Sequence, residues 1–243
     1  MSVPTQTALR RVQATRYATA LREGGSLPGL VEADDDGLYV VKFTGAGQGR
    51  RALVAEVVVG ELARALDLLV PELVVAEVDP ELARAEPDAE IRDLVRASPG
   101  ANLGVDFLPG ALTFSAASRW RPDPVFAAEV VWLDALTNNV DRTPRNPNVL
   151  LWHDRMWLID HGAALFLQRG GMDPAEHVLL PFAGSIVEAD ERLAPRVDRA
   201  LLQRLVAFVP NEWGAEGEVD YLERRLAAPR RFLEEAERAR AAT

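Results

Sequence analysis

Polar and apolar residues alternate through much of residues 11–44, in the segments RVQATRYATALREG, LVEAD and LYVVKF, and this period of two predicts extended strands. Asp36-Gly37, between the last two segments, is a hairpin signal. Glycines at 45, 47 and 49 then break the pattern. From Leu53 through Val57, Leu62 and Leu66 to Leu69 the apolar residues recur at helical spacing, and Pro71 stops the run. ELVVAEV predicts a short strand, and the charged residues 81–97 a helix ending near Ser98-Pro99-Gly100. NLGVDFLPG reads as a strand that enters a connection at Pro109 and Gly110. VFAAEVVWLDAL is a strongly apolar helix, followed by the polar stretch TNNVDRTPRNPN. Two short apolar runs, VLLW and MWLID, flank His153-Asp154-Arg155 and predict a tight hairpin. From about residue 173 the pattern is helical, with breaks at Pro181, Pro195, Pro210 and Pro229.

Strands first and helices second is an α+β arrangement. The turn-rich stretch 109–122 divides the chain into an N-terminal part, 1–109, and a helical C-terminal part, 110–243. Composition narrows the class further. With 48% hydrophobic and 26% charged residues the chain has material for a core and is not a disordered one. No apolar run approaches the roughly 20 residues that span a bilayer, so no membrane association is expected. MSVPTQTALRRVQ carries arginines without a following apolar stretch, so no secretory signal is expected and the compartment is read as cytoplasmic. The absence of cysteine excludes disulfides, zinc-thiolate sites and a thiol nucleophile. A net charge of −10 argues against direct nucleic-acid binding, which needs a basic surface.

Two scarce residue types mark two places. Of 27 basic residues, Lys42 is the only lysine. It ends a strand, where a compact ammonium does what a planar guanidinium does not. Glu56, on the following helix, is placed to be its anionic partner, and phosphoryl transfer uses such a pair to hold nucleotide phosphates. An edge-strand lysine that discourages sheet pairing is the competing reading. Gly24, Gly25 and Ser26, in GGSLP, form a turn whose backbone N–H groups could approach phosphate, or an ordinary hairpin turn. Four of the six asparagines fall within 138–148, beside Asp141. Asp141 in an irregular loop, Asn146 and Asn148 after it, and Asp160 delivered by a hairpin before Gly162 supply a carboxylate for a hydroxyl proton and oxygen ligands for a metal. Turn-forming propensity explains the asparagines of the loop but not an Asp placed directly after the apolar MWLI. His161 and His177 lack a third ligand and a nucleophile elbow, and Trp132, Trp152 and Trp157 read as packing residues.

The order GGSLP, YVVKF, AEVVVGELARAL, VDFLPG, NNVDRTPRNPNVLL and LIDHG resembles the HipA-like kinases, in their short form without the additional N-terminal subdomain. The resemblance covers about residues 10–167 and is less specific beyond. The Asp-Arg loop with a later Asp-x-Gly is also similar to type II phosphatidylinositol kinases. The resemblance implies a bilobal protein-kinase-like fold, with a small β-rich N-lobe and a larger, mostly helical C-lobe, and ATP and Mg²⁺ as cofactors. It implies that Lys42 binds phosphate with Glu56 as partner, and that Val105, Asp106, Phe107 and Leu108 form a hinge for adenine. Asp141 would be the catalytic carboxylate and Asp160 the metal-binding one, with His161 where protein kinases carry Phe. The family's spacing selects Asn146 as the second metal ligand, whereas the position directly before the VLL strand selects Asn148. The implied reaction is transfer of the γ-phosphoryl group of ATP to a hydroxyl, as on Ser or Thr of a protein. A lipid or small-molecule acceptor, a catalytically silent nucleotide-binding module acting through partners, and AMP transfer are the alternatives. The sequence does not name the acceptor.

The single lysine gives a direct test. An acyl-phosphate analogue of ATP is expected to label Lys42 as the only side-chain amine, and excess ATP to protect it. Lys42→Arg keeps the charge but displaces it, and misplacement near 1 Å costs on the order of 10²-fold in rate. Labelling that ATP does not suppress, or full activity in Lys42→Arg, contradicts the assignment.

Overall fold

In a computed structural model, residues 8–21, 27–84, 86–165 and 170–243 are described. Gly24, Gly25 and Ser26 lie outside the described residues. β1 (Arg10–Ala20), β2 (Gly29–Ala33) and β3 (Leu38–Lys42) run antiparallel in succession, and the predicted hairpin turns at Asp36, whose φ is +62°. After α1 (Gly49–Ala65) come β4 (Leu73–Val78), α2 (Ala89–Arg96) and β5 (Gly100–Asp106). β5 lies between β3 and β4, and β4 pairs in parallel with β1 to close a five-stranded barrel in the order β1-β2-β3-β5-β4. Alternation along β3 sends Tyr39 and Val41 inward, where they meet Val12, Val31, Phe43 and Val74, with Ile91 and Val95 of α2 in the same cluster. Closure leaves no room at Gly104 of β5: a Cβ there would stand 2.7 Å from Val74 Cγ2.

The remaining elements form a second buried cluster. β6 (Leu112–Thr113) joins the hairpin of β7 (Val149–Trp152) and β8 (Arg155–Leu158) in a small sheet. α3 (Pro124–Thr137) runs through this cluster, with Ala127, Val130, Val131, Trp132, Leu133 and Leu136 all fully buried. Its start is fixed by Asp123, whose side chain accepts from the N–H groups of Val125 and Phe126, and its end by Asn138 in the left-handed region. α4 (Ile186–Leu193), α5 (Arg199–Val206), α6 (Glu218–Leu226) and α7 (Arg231–Ala241) complete it. The middle of α1, residues 52–60, is buried throughout because the helix is enclosed: it packs on α5 and the turn Asn211–Trp213, while Gly60 meets Leu73 of the barrel.

Three expectations about boundaries are corrected. The helix expected over Leu53–Leu69 runs from Gly49 to Ala65. Its apolar spacing continues past the end because Leu66 and Leu68 fold back, their N–H groups reaching Ala63 O at 3.0 Å, and stay buried. The single helix expected over 81–97 is a 3₁₀ turn, Pro80–Ala83, and then α2, which Asp88 caps directly after Pro87. β6, just after the strand that ends at Asp106, was not foreseen, because two exposed residues carry no period.

Gly104→Ala is expected to destabilise the fold by about 1–3 kcal/mol through overpacking. Thermal unfolding of the variant checks this, and an unchanged midpoint would show that the barrel is not closed as tightly as described.

Candidate active site

Lys42, the last residue of β3, lies on the strand face opposite Val41 and therefore points out of the barrel towards α1. The barrel interior is taken by Tyr39, Val41 and Phe43, so the ammonium lies on the helix side of the sheet, where the expected partner Glu56 stands. Its Nζ makes a close ion pair with Glu56 Oε1 and a second with Asp160 Oδ1 at 2.8 Å. Glu56 is buried on α1 and also accepts from the backbone: His161 N donates to Oε2 at 2.9 Å and Gly162 N to Oε1 at 2.8 Å. One buried carboxylate thus joins β3, α1 and the segment after β8. A Cβ on Gly162 would stand 2.8 Å from Glu56 Oε1, so this position admits only glycine without movement.

The charges follow from this arrangement. Burial opposes the Lys42 ammonium, but Glu56 and Asp160 together hold it protonated well above the ordinary lysine range. Burial pushes the Glu56 carboxyl up to about 7 against the pull of Lys42. Burial also acts on Asp160, yet the Lys42 ammonium outweighs it and draws that carboxyl down to about 2. Asp141 is shifted up, by burial and by the Asp160 charge.

The predicted loop places its residues as follows. Asn146 is exposed and donates its Nδ2 to Asp141 Oδ2 at 2.8 Å. Asn148 is buried and lies directly before β7, where the β7–β8 register sets it opposite Ile159; Ile159 N donates to Asn148 O at 3.1 Å. Asn148 is therefore next in register to the residue before Asp160, and its Nδ2 donates to Asp141 O at 3.4 Å. Both Asn148 and Asp160 hold positive φ, +49° and +56°. The Asp160 side chain is 43% exposed, and the Asn148 amide oxygen accepts no hydrogen bond among the described residues. A carboxylate and an amide oxygen are hard donors, the set that Mg²⁺ takes alongside substrate phosphates, so these residues fit such an ion. No group of three or more His, Cys, Asp or Glu forms a metal cluster among the described residues.

Of the segment 105–108, Val105 is within the sheet, Asp106 N donates to Glu72 O at 2.8 Å, and Phe107 N donates to Leu38 O at 2.9 Å. The N–H of Leu108 has no protein partner among the described residues.

Sequence reasoning missed the buried hub beneath the loop. Arg142 Nε donates to Asp134 Oδ2 at 2.5 Å, and both side chains are fully buried. Arg142 also donates closely from Nη1 to Asn148 O, from Nη1 to Ile159 O at 3.3 Å, and from Nη2 to His161 Nδ1 at 3.2 Å. Asn139 Nδ2 donates to Asp134 Oδ1 at 3.0 Å, and His177 Nε2 to Oδ2 at 3.0 Å. His177 Nδ1 accepts from Leu179 N at 3.1 Å, which fixes its proton on Nε2. Burial lowers both histidines, His161 to about 3, so each is a neutral ring here. Burial disfavours the Asp134 carboxylate, but Arg142 and His177 hold it far below the usual range. The available signal was Asp134 itself, a lone charge inside the apolar run VVWLDAL.

The HipA-like kinase family matches residues 16–238. The chain belongs to the HipA-like kinases. Among solved structures, the Helicobacter pylori proinflammatory kinase CtkA is similar over 93% of this chain and 97% of its own, at 13% identity and a TM-score of 0.57. The Golgi casein kinase is similar over 96% of this chain and 72% of its own, at 13% identity and a TM-score of 0.55. Its Mn/ADP-bound form, also at 13% identity, covers 95% and 74% with a TM-score of 0.54. No curated protein matches. At these identities the structures speak for a shared kinase fold, and family membership makes this HipA-like kinase a phosphotransferase.

Asp134→Asn leaves the Arg142 guanidinium buried without its counter-charge, and breaking such a pair costs about 3–5 kcal/mol. The folded Asp134 carboxyl is shifted down, so its contribution is complete above the unfolded value near about 3.9. It is lost as pH falls through the lower folded value. Wild type minus variant stability, followed by denaturant unfolding, is therefore expected to shrink on acidification below about pH 4, the range in which the carboxyl titrates. A difference that instead grows in acid would contradict the pairing.

Proposed function

We propose that this HipA-like kinase uses ATP and Mg²⁺ to phosphorylate a hydroxyl, with Ser or Thr of a protein as acceptor. In this reading residues 1–109 form the nucleotide lobe and 110–243 the helical lobe of a bilobal kinase. The observation that carries it is the contact of Lys42 with both Glu56 and Asp160, which brings a cation for phosphate and a metal-binding carboxylate to one point. The Mn/ADP-bound form of the Golgi casein kinase supports nucleotide and divalent-metal use on this fold.

Lys42 takes the nucleotide phosphates, and Glu56 keeps its stem in line from α1. The adenine edge meets the segment 105–108, where Leu108 N–H is free to donate. Asp160 and Asn148 hold the metal, which supplies charge neutralisation at the phosphates. Asp141 receives the acceptor hydroxyl, and burial together with Asp160 raises its proton affinity as a proton acceptor requires. The hydroxyl oxygen forms the new bond to the γ-phosphorus as the bond to the β–γ bridging oxygen breaks. The hydroxyl proton passes to Asp141, and ADP leaves. Asn146 fixes the rotamer of Asp141 by its hydrogen bond and is not a ligand in this scheme.

The two asparagines separate by measurement. Asp160→Ala is expected to abolish transfer with the fold intact. Asn148→Ala is expected to raise the Mg²⁺ requirement by orders of magnitude, whereas Asn146→Ala lowers kcat at an unchanged Mg²⁺ requirement. Normal activity in Asp160→Ala removes the metal assignment, and the reverse result for the asparagines returns Asn146 as the ligand.

A further inference from the structure

We propose that Arg142 is the positioning residue for the metal-holding side chains, acting through the backbone at Asn148 and before Asp160 and through the His161 ring after it. This rests on the kinase reading above.

The contacts of its guanidinium bracket the two ligand residues. Nη1 holds the carbonyl of Asn148 itself and, at 3.3 Å, that of Ile159, the residue before Asp160. Nη2 holds the ring of His161, the residue after Asp160, at 3.2 Å. Asn148 and Asp160 both occupy the left-handed region, +49° and +56°, which Asn and Asp tolerate better than other non-glycine residues. Arg142 binds the peptide units next to both of these turning points, and Asp134 fixes Arg142 in turn through Nε at 2.5 Å. Glu56 takes the N–H groups of His161 and Gly162 from the opposite side, so the Asp160 segment is held between a carboxylate on α1 and a guanidinium in the loop. Among the described residues Arg142 makes no hydrogen bond to Lys42 or to residues 105–108, where the nucleotide is placed. Its loss is therefore expected to act on the metal and to spare the nucleotide.

Only a planar fork with several donors spans these acceptors, and an ammonium at the same place keeps the pairing with Asp134 without reaching the rest. Arg142→Lys is the test, read by electron paramagnetic resonance as Mn²⁺ affinity of the ADP complex and by calorimetry as ADP binding in EDTA. The expected result is Mn²⁺ affinity weakened by about 10- to 100-fold, the range for losing a group that orients a metal ligand, with metal-free ADP binding unchanged. A folded Arg142→Lys protein with wild-type Mn²⁺ affinity, or one that loses metal-free ADP binding to the same extent, overturns the proposal. Should Arg142→Lys lose cooperative unfolding, His161→Leu decides: it removes only the ring contact, and unchanged Mn²⁺ affinity there overturns the proposal as well. A wild-type protein that binds no Mn²⁺–ADP overturns the kinase reading and this inference together, which separates the two failures.

Discussion

A buried carboxylate needs donors at both oxygens, and the site is assembled around one that has them. Glu56 sits on α1, enclosed between the barrel and the helices, and finds its donors in Lys42, His161 N and Gly162 N. These come from 14, 105 and 106 residues away in sequence. An uncompensated charge at that depth is strongly unfavourable. The folded state that satisfies Glu56 is therefore also the one that brings β3 and the Asp160 segment to α1. The glycine after His161 follows from the same constraint, because its missing Cβ is what lets the backbone approach Oε1.

Local chemistry was legible in the sequence and distant pairing was not. Lys42 stood out as the sole lysine, Glu56 by its place early in an apolar helix, and Asp160 by following a hairpin strand with glycine two positions on. Each of these signals lies within a short window. The parallel pairing of β1 with β4 joins residues more than 60 apart, and no turn or period announces it. Asp134, Arg142 and His177 likewise meet across 43 residues, and only the misfit of Asp134 in an apolar helix pointed to them. The two asparagines were ambiguous because Asn146 and Asn148 are both plausible by spacing. The register of β7 against β8 sets Asn148 opposite Ile159 and leaves Asn146 in the loop, and register belongs to the folded sheet.

The two charged centres differ in how completely they are neutralised, and this bears on what each can do. Asp134 is enclosed with a guanidinium, an amide and an imidazole N–H, none of it open to solvent, so it is a fixed support. Such a buried pair is weak evidence for stability but a means of holding one geometry. Around Lys42 the balance is incomplete: one ammonium faces Glu56 and Asp160, Asp141 is close enough to feel Asp160, and the Asp160 carboxylate is 43% exposed. An excess of carboxylate over cation favours a metal ion, because unlike charges at short range and partly out of water attract strongly. On the kinase reading, a metal held by Asp160 and Asn148 would offset the carboxylates, and Lys42 would offset the charge of the phosphates. The rigid centre keeps the open one in register while its charge changes.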